Sequence, residues 1–156
     1  MKTLWFPLYS LVLALWVGGM AIFTFIVTPA IFRSYGRDLA GDIVGKLFPV
    51  YFPYNLVVSI AALVLFFIVA EDRSRMTYRL SLLLLTSALI INTFIVFHLH
   101  PEAVKAKQAI VSFERVPPDS LERKRFAKLH GVSAVLNLAL LAEGVALLAI
   151  STLIKK

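Results

Sequence analysis

Four stretches of this sequence stay apolar for longer than a soluble helix needs, and they limit the possible folds more than any other feature. They cover residues 4–28, 48–70, 78–99 and 132–153. Crossing a hydrocarbon core takes about 20 such residues in a helix. Hydrocarbon also offers no hydrogen-bond partners, so a spanning backbone must satisfy its own polar groups, as a helix does. With 60% hydrophobic residues and a mean hydropathy of +0.85, the chain belongs to the membrane class. The first run follows Lys2 like a signal peptide, but it is too long for one and is interrupted by Gly18-Gly19, so we read it as a retained span.

The connections set the topology. Pro29 is expected to end span one. The segment "FRSYGRDLAGDIVGK" carries Ala40, Ile43, Val44 and Leu47 at helical spacing, which predicts a short interfacial helix leading into span two, with kinks at Pro49 and Pro53. Spans two and three are joined only by "EDRSR" and must be antiparallel neighbours. Beyond span three, "PEAVKAKQAIVSFER" keeps a stripe of Ala103, Ala106, Ile110 and Phe113 until Pro117-Pro118 breaks it; Asp119 and Glu122 then form a capping-box pattern for the last helix. The expectation is one all-α domain: an up-down-up-down four-helix transmembrane bundle, with helices three and four extended beyond the bilayer as a hairpin over residues 101–130.

The net charge of +7 does not indicate nucleic acid, because Lys and Arg lie between the apolar runs, where they contact headgroups. The expected surroundings are the lipid bilayer of a prokaryotic-type cytoplasmic membrane, with a homo-oligomer or a larger membrane complex as partner. Six Lys and Arg lie on the side of the termini and the short loop, against ten on the hairpin side, which favours a cytoplasmic hairpin.

With no Cys, disulfides, thiolate metal sites and cysteine nucleophiles are excluded. No Ser–His–acid or metal-hydrolase spacing appears, so enzymatic chemistry ranks last. His98 and His100, two residues apart, lie about 200° apart on a helix and cannot chelate one metal together. His130 opens span four at nearly the same depth. One of the pair with His130 could ligate a haem b iron or a copper ion; the plainer reading is interfacial histidines bonded to carbonyls or headgroups. His130, Ser133 and Asn137 form a polar stripe, and Asn92 is the expected partner of Asn137.

Glu143 lies at mid-span, and the one Lys or Arg inside a span, Arg79, sits at the very edge of span three, far from its depth. Desolvation favours its neutral, protonated form. Trp16 is its expected hydrogen-bond donor, with Ser59 and Ser87 at the same depth. A lone intramembrane acid is read either as packing or as the centre of a proton- or cation-coupled transporter. Gly18 and Gly19 would allow close approach of another helix.

"LWVGGMAIFTFIVTPAIF", "AGDIVGKLFPVYF", an Asn before "HP" in span three, and "KLHGVSAVLNL" occur in that order. Together they resemble the transmembrane protein 205-like family, a four-helix membrane domain of unknown function, over nearly the whole chain. The architecture is distantly similar to copper-resistance D proteins. That resemblance implies an uncharacterised membrane protein, with His100 and His130 as the ligands if haem or copper binds. The even polar spacing, the close-packing glycines and the lack of a nucleophile constellation favour a scaffold or accessory subunit.

Overall fold

A computed structural model describes residues 2–70 and 74–154. It contains six α-helices: α1 (Lys2–Ile22), α2 (Thr28–Ser34), α3 (Arg37–Val69), α4 (Met76–Phe94), α5 (His100–Gln108) and α6 (Leu121–Ile154). Single π-helical turns, Phe23–Val27 and Ile95–Leu99, join α1 to α2 and α4 to α5. The result is four rods, each long and apolar enough to cross a membrane. The chain is a multi-pass integral membrane protein built as a helical bundle. Each rod packs against two neighbours, so α1, α3, α4 and α6 follow one another around the bundle, with α1 opposite α4.

The distribution of side chains is inverted relative to a water-soluble bundle. Val57, Val64, Leu83, Ile90 and Phe97 point outward, Phe97 being 72% exposed, while Asn55 and Asn92 are each only 1% exposed inside. Lipid tails make apolar exposure free of cost, so association rests on close packing and on interhelical hydrogen bonds. Around Trp16, Tyr9, Phe66 and Leu85 the packing is tight.

Pro29 does not end span one. The rod continues to Ser34, and the π turn before the proline is the reason. Proline lacks an N–H, and its ring clashes with the carbonyl four residues earlier. Here the turn is widened ahead of it, and the Thr28 N–H bonds the Phe23 carbonyl five residues back. The third rod repeats the device before Pro101, where the His100 N–H bonds the Ile95 carbonyl. The expected interfacial helix and span two are one unbroken helix of 33 residues, and both Pro49 and Pro53 lie within it. At 1.5 Å per residue such a rod is about 50 Å long, against a hydrocarbon core of about 30 Å. Its first turns, with Arg37, Asp38, Asp42 and Lys46, therefore stand outside the core.

The extramembrane hairpin is less helical than expected. The third rod stops at Gln108, and residues 109–120 form turns before α6 begins. The N-cap of α6 is Ser120 rather than Asp119, since the Ser120 hydroxyl accepts the Arg123 N–H at 3.3 Å.

The glycine pair divides. A Cβ on Gly18 would meet nothing within 4 Å, whereas one on Gly19 would lie 3.0 Å from the Tyr54 ring. The absent side chain at 19 lets the Tyr54 hydroxyl donate to the Leu15 carbonyl at 2.9 Å. The tightest helix contact is at Gly144, where a Cβ would come within 2.8 Å of Val17 Cγ2. Gly144→Leu should lower stability by about 1–3 kcal/mol through overpacking. Gly18→Leu should change it by less than about 0.5 kcal/mol. Thermal unfolding of both variants in one detergent would check the contrast.

Candidate functional site: an aromatic cavity at the charged end of the bundle

The first turns of α3, the end of the third rod, the start of α6 and the tip of α2 line a half-open cavity of about 300 Å³. Its floor is aromatic because α3 brings Phe48 and Phe52 inward one turn apart, and their rings stack at 5.0 Å. Immediately below, Phe23 of the first π turn stacks on Tyr51 at 4.0 Å. Phe113 and Phe126 close the outer wall, in edge contact at 5.2 Å.

His100 and His130 both line this cavity. His100 is half-buried against Phe52 at 5.1 Å, and His130 stacks on Phe126 at 5.7 Å. Neither imidazole has a protein hydrogen-bond partner among the described residues. The structure thus brings these two together and sets His98 apart: His98 is exposed, packs on Phe94 at 5.3 Å and does not line the cavity. Ser133 joins the lining beside His130. Among the described residues no group of three or more His, Asp or Glu is disposed to hold a metal ion.

Lys107 crosses the cavity wall. Its ammonium donates to the Gly41 carbonyl at 2.8 Å and pairs with Asp42 at 2.7 Å. Gly41 and Gly45, one turn apart on α3, make room for it; a Cβ on Gly45 would be 3.3 Å from Nζ. Arg37, at the first turn of α3, lines the same space and makes no ion pair among the described residues.

The wall carrying Phe113 is fastened by Asp38. Its carboxylate accepts the Ser112 hydroxyl and the Phe113 N–H, each at 2.6 Å. Arg123 braces the other side by donating to the Phe113 and Val116 carbonyls at 3.0 and 2.7 Å. Asp38 and Arg123 escaped the sequence reading because their partners are backbone groups of a turn that has no sequence signature. The stripe did mark Phe113 as inward-facing, although residue 113 is not helical.

Two expected pairings within the membrane are corrected. The Trp16 indole donates to Met20 Sδ at 3.0 Å on its own helix rather than to Glu143. Glu143 instead faces Ser87 on α4, and its Oε2 is buried without a partner. Gly144 explains the exchange, since its backbone fits against Trp16 and Val17 and directs the adjacent glutamate toward α4. Asn137 does not pair with Asn92. Its Oδ1 accepts the Tyr51 hydroxyl at 2.6 Å and its Nδ2 donates to Thr24 Oγ1 at 2.9 Å, which ties three rods together just below the cavity. Asn92 is buried, with Nδ2 unpaired.

The Ser112 and Phe113 hydrogen bonds hold the Asp38 carboxyl below the usual carboxylate range. A depressed folded-state value means that the clasp contributes fully above the unfolded value, about 3.9. It is lost as pH falls through the lower folded value. A nitroxide on Val111→Cys, the sole thiol in this cysteine-free chain, should be ordered at neutral pH and mobile in strong acid. Adding Asp38→Asn should make it mobile at every pH. Separately, Tyr51→Phe should cost about 1 kcal/mol by leaving Asn137 Oδ1 unpaired, measured by thermal unfolding in detergent.

The comparisons agree with a membrane-type domain whose activity is not established. An uncharacterised protein of Aquifex aeolicus (strain VF5) is 30% identical over 129 residues, covering 83% of each chain. No solved structure matches. The model of a domain of unknown function, DUF4149, matches residues 11–112, from span one to the turn that carries Ser112. The chain therefore belongs to the DUF4149 family.

Proposed function

We propose that this chain is a small membrane accessory protein that holds an amphipathic small molecule in the cavity between α3, α5 and α6. The observation that carries this reading is the lining itself. Apolar and aromatic walls surround a few polar side chains, and His100 and His130 make no protein hydrogen bond among the described residues. Ligand sites are usually built in this way, and about 300 Å³ lies at the small end of their usual size. The position, where the rods leave the hydrocarbon, suits a molecule with one apolar end and one polar end.

The test is to identify what the protein carries out of the membrane. Native mass spectrometry after mild detergent release should find a lipophilic molecule on the wild type. Gly45→Trp, which puts an indole into the cavity, should lose it. If both carry the same molecules, the reading fails.

The shared cavity also favours a second reading. The likeness to transmembrane protein 205-like and copper-resistance D proteins suggests bis-histidine ligation of haem or copper through His100 and His130. Added haem should then give an absorption band on the wild type that His130→Ala abolishes. An unchanged spectrum, with no copper retained, rules this reading out.

A further inference from the structure

We propose that the occupant is a single-chain amphiphile with a phosphate headgroup, bound with its chain over Phe48 and Phe52 and its phosphate between Arg37 and Lys107. This rests on the reading of the cavity as a ligand site and specifies the chemistry that site selects. Its lining includes two permanent cations, two imidazoles and the hydroxyls of Thr28 and Ser133, but no carboxylate. Such a set of donors complements a phosphate, which offers several acceptor oxygens; the nearby Asp42 carboxylate is already paired with Lys107. Arg37 has no ion-pair partner among the described residues, and a guanidinium matches phosphate geometry in a bidentate fashion.

Lys107 is shared. Its bonds to Gly41 and Asp42 use two of its three protons and leave the third for a ligand. Asp42 is itself largely exposed, its side chain 66% accessible, so it orients the ammonium without lining the cavity. The surrounding field has the same sign: on the hairpin side ten Lys and Arg face six Asp and Glu, which draws an anion to this end. At about 300 Å³ the cavity seats one chain against Phe48 and Phe52 and stays open along its rim. The exposed apolar residue Phe32, on the rim, provides the side from which a chain enters from the bilayer.

The test uses the full chain in nanodiscs of neutral lipid and a long-chain alkyl phosphate bearing a photoreactive diazirine in the chain. The probe should label peptides containing Phe48–Phe52 or Phe126. Unlabelled alkyl phosphate should compete, and inorganic phosphate and the alcohol of equal chain length should not. Arg37→Gln and Lys107→Met should each weaken labelling about tenfold, the scale of one charge-assisted contact. Lys128→Gln, an exposed cation outside the lining, should leave it unchanged. If the alcohol labels the same peptides equally well, the cavity remains a ligand site but the phosphate assignment falls. If a fatty carboxylate competes better than the phosphate, the headgroup assignment falls. If inorganic phosphate alone displaces the probe, the chain is not part of recognition. Labelling confined to lipid-facing peptides would overturn both this assignment and the reading on which it rests.

Discussion

Hydrocarbon gives a backbone nothing to bond to, and the rest of this structure follows from that constraint. Every spanning segment must close its own ladder, so the chain becomes four rods. Prolines in those rods cannot simply break them. Pro29 and Pro101 are instead carried by widened π turns, in which the preceding residue bonds a carbonyl five positions back. Both turns lie toward the charged end, one beneath the cavity floor through Phe23 and the other immediately before His100. The local remedy for a proline thus shapes the ground on which the candidate site stands.

The same solvent governs the polar side chains. In water they would decorate the surface; here they turn inward and tie rods together. Asn137 does this most fully, with Tyr51 on one amide atom and Thr24 on the other. Gly19 and Gly144 supply the close approaches that lipid cannot drive hydrophobically. Outside the core the forces change character. Lys107, Asp38 and Arg123 work through charge-assisted bonds to carbonyls, an amide and a hydroxyl, and hold a non-helical turn where periodicity alone suggested more helix.

Much of the architecture was legible along the chain. Run length marked four helices long and apolar enough to cross a membrane, and the short "EDRSR" link required antiparallel neighbours. The i, i+2 spacing correctly separated His98 from His100, because helical periodicity alone puts them on different faces. Partner choice was not legible. Asn92 and Trp16 were reasonable partners by depth, but depth is one coordinate of three. Rotation about each helix axis decides the other two, and it is set by packing at Gly144 and Tyr51. Nor does the sequence show that Gly41, Gly45 and Lys107 meet, since they are more than sixty residues apart.

The sequence by itself determined that this is a bundle of four spanning helices with its charge gathered outside the membrane. Transfer free energy depends on the composition of each segment and needs no tertiary contact. Only the tertiary structure decided that His100, His130, Arg37 and Lys107 surround one aromatic cavity. Bringing α2, α3, α5 and α6 to a common point depends on crossing geometry and on helix rotation, and these arise from the packing of all four rods together.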